Sequence, residues 1–162
     1  MGIEIERKFL VKNNLWETDA VTATDFKQGY LSHGGNCSVR VRIEGHEANL
    51  NIKSTTLDIL RQEFEYPIPI EEARELLELF CSSTVYKKRY KVSYAGKTWE
   101  IDVFEQDNSG LVVAEIELNS IDEKFQLPSW IGDEVSTDAR YYNTELARHP
   151  YNTWSDVSDW RK

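Results

Sequence analysis

The sequence predicts a mainly-β α+β domain in which eight antiparallel strands close into a barrel around a charged interior, flanked by a few helices. Three observations predict it. Apolar and polar residues alternate with a period of two through eight stretches of the chain. Short turns rich in glycine separate several of these stretches, as antiparallel hairpins require. The charged faces are also sorted by sign from one strand to the next.

The first strand, residues 1–11, sets Ile3, Ile5, Phe9 and Val11 against a row of Glu4, Glu6 and Lys8. Neighbours in that row stand about 7 Å apart at the rise of a strand. Carboxylates at i and i+2 can share a divalent cation, and a lysine at i+4 can hold an anion beside it. The same row also suits an edge strand with a solvated outer face. Residues 12–19 read as a loop or one short helical turn. The second strand, 22–32, carries Phe26, Gln28 and Tyr30 on one face, and His33-Gly-Gly-Asn36 turns the chain. In the third strand, 37–44, Val39, Val41 and Ile43 oppose Arg40, Arg42 and Glu44. The fourth, 48–54, sets Leu50 and Ile52 against Asn49, Asn51 and Lys53. The fifth, 61–67, places Arg61, Glu63 and Glu65 in a row and ends at Pro67 and Pro69.

Residues 71–80 then switch to a helical period, with Ala73, Leu76, Leu77 and Phe80 on one face. Glu71 and Glu72 sit at the N-terminus, where the helix dipole favours them. The sixth strand, 85–94, aligns Lys87, Arg89 and Lys91. The seventh, 98–104, sets Trp99, Ile101 and Val103 against Glu100 and Asp102. The eighth, 111–118, sets Val112, Ala114, Ile116 and Leu118 against Glu115 and Glu117. A short helix is expected within 121–131 and another over 138–148. Trp154 and Trp160 are expected to dock a terminal helix. No linker divides the chain, so residues 1–162 read as a single domain.

The net charge of −9 argues against a nucleic-acid partner. Two cysteines, no basic-then-apolar start and no apolar run of membrane-spanning length point to a soluble cytoplasmic protein without a membrane partner. His33, His46 and His149 are scattered and have no spaced partner for a metal.

Two arrangements accommodate the charged faces. A sheet can turn its apolar side to helices and its charged side to water. Alternatively it can curl into a barrel with charge inside. The barrel is favoured because the few helices cannot cover a wide sheet. Sign sorting favours it too: 4/6, 63/65, 100/102 and 115/117 are acid pairs, while 40/42 and 87/89 are basic pairs. Charges crowded in a lumen must be paired, hydrated or occupied by ions. A polyanion on Arg and Lys, bridged by divalent metals to carboxylates, satisfies both zones and is a layout for phosphoryl transfer.

Glu4-Ile-Glu-Arg-Lys8 resembles the E-x-E-x-K signature of the CYTH superfamily, the triphosphate tunnel metalloenzymes. The resemblance continues in order through Gln28-Gly-Tyr-Leu31, Val39-Arg-Val-Arg42, Ile52-Lys53, Arg61-Gln-Glu-Phe-Glu65, Lys87-Lys-Arg-Tyr90, Trp99-Glu-Ile-Asp102, Ala114-Glu-Ile-Glu117 and Asp138-Ala-Arg-Tyr-Tyr-Asn143. It covers residues 2 to about 147. It implies an eight-stranded antiparallel tunnel and hydrolysis of a triphosphate with Mg2+ or Mn2+, as two ions. It implies that Lys8, Arg40, Arg42, Lys53, Lys87 and Arg89 cradle phosphates. It implies that Glu4, Glu6, Glu115 and Glu117 hold metal, with Glu100 and Asp102 helping, while Glu63, Glu65, Arg61 and Lys91 line the tunnel. Short members also use a lysine–tyrosine pair, here Lys8 and Tyr30. A metal-activated water would attack the terminal phosphorus.

Inorganic triphosphate is the leading substrate, because the chain offers many phosphate-binding cations and no evident site for a base or a thiazole. Class IV adenylyl cyclase, nucleoside or thiamine triphosphatase, and a non-catalytic sensor of polyphosphate or nucleotide are the competing readings. The chain is expected to act as a monomer or homodimer on a small-molecule triphosphate.

Overall fold

The computed structural model describes residues 2–32, 35–55 and 58–154. Among them, nine strands form one antiparallel sheet: β1 (Ile3–Val11), β2 (Ala20–Ser32), β3 (Cys37–Glu44), β4 (Glu47–Ser54), β5 (Leu60–Pro67), β6 (Thr84–Tyr94), β7 (Lys97–Phe104), β8 (Val112–Glu117) and β9 (Ile131–Glu134). The order is β5-β4-β3-β2-β6-β7-β8-β1-β9, and β5 also pairs with β1. The first eight strands therefore close a barrel, as expected, and β9 lies outside the circle.

The closing strand is β1. One edge pairs with β8 over residues 6–10. The other is divided: Ile3, Glu4 and Ile5 pair with β5, while Phe9 and Val11 pair with β9. The barrel seam thus falls beside Glu6 and Lys8, in the middle of the charged row. Strand β9 is not expected from the pattern, because Ile-Gly-Asp-Glu is too short to show a period.

The apolar faces point outward and are covered in two places. Helix α1 (Ile70–Phe80) buries Ala73 and Leu77 against Val41, Ile43 and Ala48. A Cβ at Gly29 would lie 2.9 Å from Leu77 and Cys81, so only glycine lets α1 sit this close to β2. The second cover is the 3-10 helix Leu15–Asp19, with buried Trp16, and the irregular segment 118–131. The short helix expected within 121–131 is absent. Pro128 cannot donate to a helix. Phe125 and Trp130 instead meet Trp99 edge to face, with ring centroids 5.9 and 5.7 Å apart.

The inner faces form layers, and one end is apolar. Leu10, Val85, Phe104 and Val113 continue the charged faces by one step and meet Leu146 of helix α2 (Asn143–Arg148), which is fully buried. The charged interior therefore stands on an apolar floor. The single helix expected over 138–148 is broken into a 3-10 turn, Ala139–Tyr141, and α2. Tyr142 separates them in extended conformation, its hydroxyl donating to the Ser136 carbonyl at 2.7 Å. Trp154 packs edge-on against Tyr141 and Tyr151, and the chain after it, where a terminal helix is expected, lies outside the described residues. Met1, His33 and Trp160 lie outside the described residues. No helix among the described residues is long and apolar enough to cross a membrane.

Candidate active site

The barrel encloses a cavity of about 520 Å³. Strand alternation brings Glu4, Glu6, Lys8, Tyr30, Arg40, Arg42, Lys53, Arg61, Glu63, Glu65, Arg89, Glu100, Glu115 and Glu117 to its walls. Three other residues expected at the site do not line it. Lys91 is exposed at the end of its row. Lys87 and Asp102 are sealed behind the wall, with 1% and 0% of their side chains accessible.

The wall made by β6, β7 and β8 is a closed charge knot. The Lys87 ammonium lies 2.8 Å from Asp102 Oδ2. Arg89 grips the same carboxylate in a fork, Nε to Oδ1 at 2.7 Å and Nη2 to Oδ2 at 2.9 Å. It also reaches Glu100 at 3.3 Å and Glu115 at 3.6 Å. Burial pulls the Lys87 ammonium down to about 8, although Asp102 opposes it. Burial also acts on Arg89, but the Asp102 carboxylate outweighs it and raises the guanidinium pKa well above its usual value. The bidentate pair compensates the desolvation that an isolated buried arginine would suffer.

The opposite wall, from β3, β4 and β5, is looser. Arg40 lies 3.7 Å from Glu63 and donates to Asn51 at 3.3 Å. Arg42 donates to Glu65 at 3.1 Å and to Glu44 at 3.3 Å. Lys53 lies 3.1 Å from Glu4. Phe26, on the inner face of β2, sits under this ring of charge, 4.8 Å from the Arg89 guanidinium and 5.1 Å from that of Arg42.

The carboxylates split into unlike pairs. Burial, then repulsion from Glu115 and Glu4, raises Glu6 well above the ordinary range. Burial pushes Glu115 the same way, but Lys8 and Arg89 outweigh it and hold that group low. Glu4 repeats the pattern: burial raises it, Lys53 prevails, and it falls to about 2. Its neighbour Glu63 is pushed up to about 7 by burial and by the hydrogen bond to Glu4. In each pair one carboxyl keeps a proton for the other. A cation inserted there replaces the proton and relieves the repulsion.

These donors are all oxygen, which suits a hard divalent cation. No three metal-binding side chains among the described residues converge into a ready cage. That fits an ion that retains waters and relies on a few carboxylates and on substrate phosphates, as Mg2+ does.

Several residues at the site were not singled out from the sequence. Asn51 shares a face with Lys53, and alternation alone could have included it. Tyr142 and Asn143 line the cavity from the far end of the chain, and no periodicity marks them. The same stretch holds Lys8: its ammonium donates to the Tyr141 carbonyl at 3.1 Å and lies 5.3 Å from the Tyr142 ring, and its N–H donates to Ser136 Oγ at 3.0 Å.

Comparison with known proteins gives concordant results. The CYTH domain matches residues 2–151. The chain is 43% identical over 157 residues to an inorganic triphosphatase of Acetivibrio thermocellus, covering 96% of this chain and 100% of that protein. It is 34% identical over 152 residues to an inorganic triphosphatase of Nitrosomonas europaea, covering 89% of this chain and 96% of that one. The crystal structure of the inorganic triphosphatase NE1496 superposes with a TM-score of 0.66 at 35% identity, covering 89% of this chain and 93% of the other.

Proposed function

The chain belongs to the CYTH domain family, and from that premise we propose that it is a divalent-metal-dependent hydrolase of linear triphosphates, with inorganic triphosphate its preferred substrate. One observation carries the preference. Among the described residues lining the cavity, Ala139 alone has an apolar side chain. The described walls thus meet a small polyanion with mostly charged and polar groups, and offer a nucleobase or a thiazole no apolar slot, with Tyr30 and Tyr142 their aromatic side chains. The name shared by the two relatives supports the same reading.

In this reading Arg40, Arg42, Lys53 and Arg89 hold phosphate oxygens. Lys87 and Asp102 act from behind, fixing the Arg89 fork. Glu4, Glu6, Glu115 and Glu117 hold Mg2+ or Mn2+, as two ions, and Glu100 supports them through water. When bound, the divalent ions neutralise phosphate charge and acidify a water. Lys8, aimed by the Tyr141 carbonyl, contacts the reacting phosphoryl group; Tyr30, opposite Arg40 in the ladder, completes that side. Water oxygen bonds to the terminal phosphorus and the bridging P–O bond breaks. Pyrophosphate leaves with that electron pair, orthophosphate forms, and the water proton passes to solvent. Catalysis rests on positioning and charge neutralisation. The protein works in the cytoplasm as a monomer or homodimer, with no nucleic-acid or membrane partner.

The test is phosphate release from tripolyphosphate, ATP, GTP, thiamine triphosphate and pyrophosphate, each with Mg2+, Mn2+ or EDTA, with nucleotide products resolved. Metal-dependent orthophosphate from tripolyphosphate, much faster than from ATP, is expected. Cyclic AMP from ATP would move the protein to the cyclase reading, and binding without turnover would make it a sensor.

A further inference from the structure

Among the described residues, every cation lining the cavity but one has a carboxylate within 4.0 Å: Lys8, Arg40, Arg42, Lys53, Arg89 and Arg148 are all paired. Arg61 is the exception. Its register partner on β1 is Glu4, but that carboxylate is engaged by Lys53. The Arg61 guanidinium lies over the Tyr142 ring, 4.2 Å from its centre, and interacts with that residue's hydroxyl, while Nε donates to the Asp58 carbonyl at 3.2 Å.

Tyr142 is itself held firmly. Its hydroxyl is anchored on Ser136, whose Oγ accepts the Lys8 N–H and donates to Glu134 at 2.6 Å. The Lys8 ammonium lies 5.3 Å from the same ring. Arg61 and Lys8 therefore flank one aromatic side chain, at the seam where β1 passes from β5 to β9. Two cations near one ring repel each other. An arginine held beside an aromatic ring, with Nε on a backbone carbonyl and no carboxylate partner among the described residues, can still turn its Nη groups to a phosphate. The two cations are within about 10 Å, a gap that one or two phosphoryl groups can span with hydrogen bonds of about 2.8 Å at each end.

We propose that Arg61, stacked on Tyr142, forms a further anion subsite that takes the phosphoryl group by which a triphosphate exceeds a pyrophosphate, and so reads chain length. This rests on the triphosphatase reading above. Arg61 contacts substrate, and Tyr142 positions both Arg61 and Lys8.

The experiment is calorimetric binding of tripolyphosphate and of pyrophosphate in EDTA, where no turnover occurs, together with steady-state kinetics in Mg2+. Arg61→Met is expected to weaken tripolyphosphate about tenfold and pyrophosphate less than twofold, with KM following the former and kcat nearly unchanged. Arg61→Lys, which keeps charge without the fork, should fall between, and it carries the test if Arg61→Met does not fold. Tyr142→Phe keeps the ring and should keep the ratio of the two affinities. Tyr142→Leu should lose that ratio, with no further loss in the double variant. Equal weakening of both ligands, or no weakening of either, overturns the subsite. A wild-type protein that neither binds nor hydrolyses tripolyphosphate refutes the underlying function instead.

Discussion

The two charged walls of the barrel look alike along the chain and differ in three dimensions. On β6 and β7, Lys87 and Arg89 share the wholly inaccessible Asp102 carboxylate, and Glu100 and Glu115 complete the charge balance of Arg89. On β3, β4 and β5, Arg40 and Arg42 meet half-exposed carboxylates at 3.1 to 3.7 Å and face the cavity. The first wall is a tightly committed ion cluster from which Arg89 alone of its cations reaches the cavity. The second is a set of cations whose partners can be exchanged for a ligand. A lumen built for a polyanion needs both: a rigid base whose charges are already compensated, and a face whose charges are not fully committed.

The sharpest way to break this comparison is to remove the centre of the knot. Asp102→Asn leaves Lys87 and Arg89 without their shared carboxylate, and is expected to destabilise the fold by roughly 3–5 kcal/mol. Arg40→Ala on the other wall should cost less, because Glu63, pushed up to about 7, is not left as a bare buried charge. Urea unfolding of the two variants measures the contrast. Equal losses would mean that the looser wall is as structural as the knot.

Activity should separate differently. Glu6→Gln is expected to reduce metal-dependent turnover by about a hundredfold or more, with stability little changed, since burial and repulsion from Glu115 and Glu4 already favour the neutral form of Glu6. Wild-type rates in both Glu4→Gln and Glu6→Gln would detach this strand from the chemistry. A smaller effect is expected of Arg40→Ala in kinetics: a rise of about tenfold in KM for tripolyphosphate. If kcat falls and KM does not, Arg40 acts on the transition state alone and the wall is not a ground-state cradle.

Much of this was legible in the sequence, for a physical reason. Period-two alternation with charge on one face gives strand identity and side-chain direction together, so Glu4, Glu6, Arg40, Lys53 and Glu115 could be placed inside before any pairing was known. Alternation says nothing about depth along the barrel. Lys87 and Arg89 have the same pattern, yet one is sealed and the other reaches the cavity, because strand tilt sets the layer in which each one lies. Nor could it reveal Tyr142, whose contacts with Lys8 and Arg61 join residues far apart in the chain through a stretch with no regular period. The covering segment 118–131 was misread for a related reason. Its apolar residues serve aromatic stacking on Phe9 and Trp99, not a helical face.

The gentlest probe of the looser wall is pH. Glu63 is pushed up to about 7 in the folded protein, by burial and by its hydrogen bond to Glu4. Between its ordinary carboxylate value and about 7 the native state binds more protons than the unfolded chain, so stability contributed by this group falls as pH rises through that window. Glu4, lowered to about 2, works in the opposite sense, and its contribution is lost as pH falls below its ordinary value. The pair therefore favours a stability maximum on the acid side of neutrality. Glu63→Gln keeps the hydrogen bonding but cannot titrate. Its unfolding free energy should decline less than that of the wild type between pH 5 and 7, by a modest amount because Glu63 is partly solvated. Parallel profiles would show that Glu63 does not share the proton, and that the Glu4–Glu63 pair is held by Lys53 and Arg40 alone.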